Sequence, residues 1–142
     1  MPPVQANLAA APVDDEPAPP AVLVIDDNLG VLRSIECVLE TYGIPVATAQ
    51  NGVEGLALFR RLSPAVVITD IVMPYQDGIS AIMTMRREQP GVKIVAISGA
   101  GQVGNSDFLS VARQLGADTA MPKPLDINQL VMILRRYLMQ AR

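Results

Sequence analysis

Ala65-Val66-Val67-Ile68-Thr69 is an unbroken run dominated by β-branched residues, and Asp70 follows it directly. Branched side chains pack well on a pleated surface and restrict χ1, so such a run favours extended backbone. It lacks polar alternation, as expected of a strand covered on both faces in a parallel sheet. Ser63-Pro64 stops the helical segment before it, and a loop from Ile71 to Asp77 leads into the helix after it.

The same alternation extends in both directions. Upstream, Val22-Leu23-Val24-Ile25 reads as a buried strand. Asn28 caps a helix with Val31, Leu32, Ile35, Val38, Leu39 and Tyr42 along one face, and Gly43 ends it. Pro45 to Ala49 is a second strand, and Asn51 opens a helix with Val53, Leu56, Ala57 and Phe59 facing inward. Downstream, a helix with Ile79, Ile82 and Met83 inward finishes near Pro90-Gly91, and Lys93 to Ile97 is the fourth strand. A Gly-rich stretch, Ser98 to Ser106, precedes a helix from about Asp107 to Leu115, and Thr119 to Met121 is a short fifth strand. The last helix starts at Asp126, with Gln129 placed for a capping box, and buries Leu130, Val131, Leu134 and Leu138. Strands alternating with helices predict an α/β fold: a three-layer α/β/α sandwich around a five-stranded parallel sheet. Pro122 cannot donate to a ladder, so the fifth strand belongs at an edge.

Composition narrows the chemistry. The chain has 142 residues, enough for one domain, with 50% hydrophobic residues and 4% aromatics. Residues 1–20 contain six of the twelve prolines and Asp14, Asp15 and Glu16 without a base. They account for the whole net charge of −3 and read as a flexible tail ahead of a domain spanning 21–142. The balanced remainder is no nucleic-acid footprint, so no direct nucleic-acid binding is expected. The chain contains no histidine, which excludes His-based metal sites, Ser-His-Asp and Cys-His catalysis, and a phosphohistidine on this chain. The lone Cys37 forms no intrachain disulfide and is expected as a small buried thiol. With no apolar run long enough for a bilayer and no signal peptide, a soluble cytoplasmic protein without membrane insertion is expected.

In open parallel sheets, ligands sit beyond the carboxyl ends of the strands. Asp26 and Asp27 follow strand one, Asp70 strand three, Ser98 strand four and Lys123 strand five; strand two ends in the unremarkable Ala49-Gln50. Each residue alone has a blander role, as a cap, a turn or a solvated lysine. Their weight lies in four strand ends agreeing. Converging carboxylates repel unless protonated or bridged by a cation, and an all-oxygen site with room for water suits Mg2+. Lys123 adds a compact positive charge and Ser98 a hydroxyl for a phosphoryl oxygen. A carboxylate is already a nucleophile at neutral pH, so phosphoryl transfer needs alignment and charge neutralisation more than a base.

Ile25-Asp26-Asp27-Asn28, Asp70-Ile71-Val72-Met73-Pro74 with Asp77-Gly78, Ser98-Gly99 and Lys123-Pro124 together resemble the receiver domains of two-component response regulators. The likeness covers roughly residues 21–142 and implies the flavodoxin-like strand order 2-1-3-4-5. It implies that Asp70 accepts phosphate from a sensor histidine kinase or histidine phosphotransfer protein. Asp27 would bind Mg2+ directly, Asp26 partly through water, and the backbone carbonyl of Val72 would complete the protein ligands beside Asp70. Lys123 would contact the phosphoryl group, its peptide bond to Pro124 would be cis, and Ser98 would move toward the phosphate. With a single helix after the fifth strand, a stand-alone receiver is expected, acting through a partner or a phosphorelay and not as an enzyme beyond self-phosphorylation and self-dephosphorylation.

The chain departs from the family pattern at three places. Ala120 stands where receivers carry Tyr or Phe, so the signal is expected to leave through backbone and the 98–106 loop. Leu125 replaces the usual Phe after Lys-Pro. Val72 and Ala100 are apolar near positions that steer the hydrolytic water, which predicts a long-lived phosphoryl group. The expected docking surface is the face of helix four, strand five and helix five, with Met121, Met132, Arg135, Arg136 and Tyr137 as candidates.

Three other readings fit the sequence less well. Gly99-Ala100-Gly101-Gln102-Val103-Gly104 spells G-x-G-x-x-G, but it follows the fourth strand and its candidate acid, Asp118, precedes the fifth. An aspartate-based phosphohydrolase needs a second Asp two residues after its nucleophile, where Val72 and Asn28 stand instead. A phosphorylation-independent docking scaffold would not require the intact set Asp26, Asp27, Asp70, Ser98 and Lys123.

Overall fold

The computed structural model describes residues 21–73, 76–99 and 105–141. The 1–20 segment, Pro74 and residues 100–104, with Ala100 and most of the Gly-rich motif, lie outside the described residues. Five parallel strands form one sheet: β1 (Val22–Ile25), β2 (Val46–Ala49), β3 (Val66–Asp70), β4 (Lys93–Ser98) and β5 (Thr119–Pro122). Their order is β2-β1-β3-β4-β5, the flavodoxin-like arrangement, and Pro122 is on an edge strand as its missing N–H requires. The helices are α1 (Leu29–Thr41), α2 (Gly52–Leu62), α3 (Gly78–Glu88), α4 (Asn105–Leu115) and α5 (Ile127–Gln140). Inside the loop expected from Ile71 to Asp77, Val72 and Met73 pair antiparallel with Asp77 and Gln76.

Side chains alternate across the sheet, so each strand feeds two cores. Leu23, Ile25, Val67, Ile94 and Ala96 meet Phe59 of α2, Ile82 and Met85 of α3 and Ala112 of α4. Val22, Val24, Val66, Ile68, Val95 and Ile97 meet Leu32, Ile35 and Leu39 of α1 and Leu130 and Leu134 of α5, with Leu125 packed at the margin. The polar ends hold as expected. Asn28 Oδ1 accepts from Val31 N at 3.1 Å, Asn51 Oδ1 from Glu54 N at 2.8 Å and Asp126 Oδ1 from Gln129 N at 3.1 Å. Gly43, at φ 72°, follows α1 in the left-handed region that closes helices.

Several inward assignments are corrected. On α2, Val53 is 68% exposed and Ala57 also faces solvent, while Gly52, Gly55 and Phe59 are buried. A Cβ on Gly55 would lie 2.6 Å from Ile25 Cδ1, so the small residue lets the helix approach the sheet and sets which face is inside. On α3, Met83 is exposed and Ala81, Ile82 and Met85 point inward. Tyr42, beyond the last turn of α1, is half-exposed with its ring beneath Arg135. Cys37 is exposed, because Leu32, Ile35 and Leu39 define the buried stripe of α1. Met121 is core, not docking surface.

Candidate functional site

The acids expected at the strand ends meet at the carboxyl edge of the sheet. β1 and β3 are direct neighbours, in register from Val22↔Val66 to Ile25↔Thr69. The residues after Ile25 and Thr69 are therefore side by side. Asp26, Asp27 and Asp70 each offer a carboxylate oxygen within 4.8 Å of the other two. Asp26 and Asp70 are buried and Asp27 is exposed. The loops after the strands are folded back onto these acids. Asn28 N donates to Asp26 Oδ1 at 2.8 Å, and Val72 N donates to Asp70 Oδ1 at 3.2 Å.

Gly78 fixes the return of the chain beneath Asp70. A Cβ there would lie 2.5 Å from Ile71 Cα and 2.6 Å from the Asp70 carbonyl oxygen, both rigid backbone atoms. Only glycine permits α3 to start so close to the end of β3.

Lys123 arrives from the edge strand. Its backbone N donates to Ser98 O at 2.7 Å, which binds the loop after β5 to the end of β4. The Lys123–Pro124 peptide is cis, as the resemblance implied. Lys123 Nζ lies 2.7 Å from Asp26 Oδ2 and 3.3 Å from Asp70 Oδ2. The ammonium thus bridges the two buried acids, nearer to Asp26 than to Asp70. Ser98 is fully buried, one register step beyond Ile97, which pairs with Asp70. Beside Lys123, between α1 and the loop after β5, a cavity of about 490 Å3 opens, lined by Asn28, Val31, Ile35, Pro124 and Leu125 among others.

The electrostatics follow from crowding three acids against one base. Burial pushes the Asp70 carboxyl above the usual carboxylate range, and repulsion from Asp26 adds to it. The Val72 N–H and Lys123 pull the other way without cancelling it. For Lys123, burial works against the charge, but the hydrogen bond to Asp26 and the attraction of both acids outweigh it and raise the ammonium above its usual value. The cluster keeps surplus negative charge with oxygen donors only, a set that fits a hard divalent cation such as Mg2+.

Sequence reasoning missed two arrangements. Thr119 Oγ1 and the Tyr137 hydroxyl share a hydrogen bond at the β5–α5 edge. At the opposite end of the sheet, Asp118 is engaged by Arg86 and the Ile94 N–H, so it offers no acid to a dinucleotide. Neither residue pair shows a spacing signal. Among the described residues, no helix is long and apolar enough to cross a membrane.

Comparison with known proteins agrees with this geometry. The family described as response regulator receiver domain matches residues 22–135. The chemotaxis protein CheY of Treponema pallidum is 38% identical over 117 residues, covering 80% of this chain and 79% of that protein. The sporulation initiation phosphotransferase F of Bacillus subtilis is 26% identical, covering 82% of this chain and 92% of that one. Among solved structures, a receiver domain protein from Clostridium thermocellum superposes with a TM-score of 0.75 at 30% identity, covering 84% of this chain and 94% of that one. The Francisella response regulator 1452 receiver domain gives 0.77 at 26% identity, covering 87% of this chain and 99% of that one. Strand order, converging acids and sequence likeness therefore lead to one conclusion: the chain belongs to the response regulator receiver domain family, with a CheY-like fold.

Proposed function

We propose that the domain spanning 21–142 is a Mg2+-dependent phosphoryl acceptor whose acceptor residue is Asp70. The observation that carries this reading is the Lys123 ammonium at 2.7 and 3.3 Å from Asp26 and Asp70, within a cluster of three carboxylates. Asp26, Asp27, Asp70 and the Val72 carbonyl would hold the metal, which supplies charge neutralisation for the incoming phosphoryl oxygens. An Asp70 carboxylate oxygen attacks phosphorus, the bond to the donor's imidazole nitrogen breaks, and the electron pair leaves with the imidazole. The product is an acyl phosphate. Lys123 exchanges part of its contact with Asp70 for a phosphoryl oxygen, and Ser98 donates its hydroxyl to another.

The donor would be a sensor histidine kinase or a histidine phosphotransfer protein, in keeping with a relative named as a phosphotransferase. The phosphorylated domain then binds a protein target or passes the group on, without turnover as a hydrolase. Incubation with acetyl phosphate and Mg2+, read by intact-mass and peptide spectrometry, should place a single phosphoryl group on Asp70. Chelation of Mg2+ or Asp70→Asn should abolish it. A label on another residue would overturn the reading. Sustained turnover of para-nitrophenyl phosphate would favour a phosphohydrolase instead.

A further inference from the structure

We propose that the acidic segment Asp14-Asp15-Glu16 of this same chain docks in the cleft between β5 and α5. The cleft has a volume of about 310 Å3 and is lined by Thr119, Gln129, Met132, Ile133, Arg136 and Tyr137. Its apolar wall is open, with Met132 64% exposed. The Tyr137 hydroxyl is fixed by Thr119, and Lys93 Nζ lies 5.6 Å from the centre of the same ring. Two cations, Lys93 and Arg136, thus border a cleft of mixed polar and apolar lining, and neither forms an ion pair with a described carboxylate.

Charge selects the occupant. From Ile127 to Gln140, α5 carries Arg135 and Arg136 and no acid. Arg135 is turned away, over the Tyr42 ring at 4.9 Å. α1, the other helix on this side, sets Glu36 and Glu40 against Arg33, so an acidic segment gains less there. The acids nearest the cleft are already engaged: Asp118 with Arg86 and the Ile94 N–H, Asp126 as the cap of α5. Asp14, Asp15 and Glu16 carry the chain's whole charge imbalance.

Distance permits the contact. Ala21 packs at the margin of the same core as Ile133 and Tyr137, so the chain enters β1 on the α5 side of the sheet. β1 and β5 are separated by three strand spacings, about 14 Å. The acids lie five to seven positions before Ala21, a stretch that can span up to about 17–25 Å. Pro17, Pro19 and Pro20 lie in that stretch and reduce the backbone freedom lost on docking. A tether this short raises the local concentration of the segment to the order of millimolar.

The test uses the full chain with Cys37→Ser and a nitroxide at Ala11→Cys, read as loss of amide NMR signal. The amides of Thr119, Gln129, Met132 and Ile133 should lose most of their intensity, equally after tenfold dilution. The loss should disappear in D14N/D15N/E16Q, in Arg136→Ser, and at 1 M salt, where the screening length falls to about 3 Å. Signal loss spread evenly over the surface, or centred on α1, would overturn the proposal. So would a loss that vanishes on dilution, since a second copy would then hold the cleft.

Discussion

The two ends of the sheet each bring a base to buried or half-buried acid, with opposite results. At the amino end, Arg86 Nη2 meets Asp118 Oδ2 at 2.6 Å, and the same guanidinium donates to the carbonyls of Pro90, Val92 and Gly116. Asp118 Oδ2 also accepts from Ile94 N at 2.8 Å. The planar fork finds an acceptor in every direction, and the corner linking α3, α4 and β5 is closed. At the carboxyl end, a single ammonium faces three carboxylates within 4.8 Å of one another. Charge there stays unbalanced, and burial with repulsion from Asp26 raises the pKa of Asp70. A balanced cluster locks a corner; an unbalanced one leaves charge that a cation would offset.

Replacing Lys123 with Met should have the larger effect. It leaves Asp26 buried without its partner, and breaking such a pair costs about 3 kcal/mol. Thermal melts in the absence of Mg2+ should fall by about 10 °C, and phosphoryl uptake on Asp70 should drop by about two orders of magnitude. Unchanged uptake would show that the ammonium is structural only. Arg86→Ala breaks the closed end. The side chains of this pair keep about a quarter of their surface exposed, at 27% and 26%, so the loss is smaller, about 2 kcal/mol. Uptake on Asp70 should stay at the parent rate, and a fall in that rate would mean the two ends are coupled.

Asp70→Asn should act in the opposite sense on stability. The folded-state carboxyl of Asp70 holds its proton more tightly than an unfolded Asp near pH 3.9. Its stabilising contribution is complete below that pH and is lost as pH rises through the raised folded value, leaving a penalty at neutrality. The amide removes that penalty. In metal-free buffer at pH 7 the variant should melt above the parent. The gain should shrink toward pH 4, and added Mg2+ should stabilise the parent more than the variant. A variant less stable than the parent at pH 7 would show that Lys123 and the Val72 N–H outweigh burial and repulsion.

How much of this was legible in the sequence differs between fold and site. Val22–Ile25 and Val66–Ile68 are short continuous apolar runs, and their length, β-branched content and flanking breakers favour strand over buried helix. Helix faces were harder. A rule that looks for apolar residues picks Val53 and Ala57 on α2, whereas the helix turns Gly52 and Gly55 inward, and at Gly55 Ile25 fills the space a side chain would need. The site acids were legible because each is the first polar group after a strand, where topology alone brings them together. Their pairing was not: that Lys123 lies nearer Asp26 than Asp70, and that Arg86 reaches Asp118 across 32 positions, depends on how loops fold back. No spacing rule encodes that.

A third ion pair tests whether distance or burial separates the two ends. Arg60 donates from Nε and Nη2 to both carboxylate oxygens of Glu88, at 2.9 and 2.8 Å, joining α2 to α3. The mutual hydrogen bond raises the Arg60 pKa and lowers that of Glu88, so each favours the charge of the other. By geometry this two-pronged contact is as good as the one between Arg86 and Asp118. It lies in solvent, however, where water and salt screen the attraction and two long side chains lose freedom to form it. Arg60→Gln should therefore leave the melting temperature within replicate scatter at physiological salt, and Glu88→Gln should match it. A drop comparable to that of Arg86→Ala would mean that bidentate geometry stabilises this fold regardless of exposure. The contrast between the two sheet ends would then reflect the shape of the cation, guanidinium against ammonium, and not the balance of buried charge.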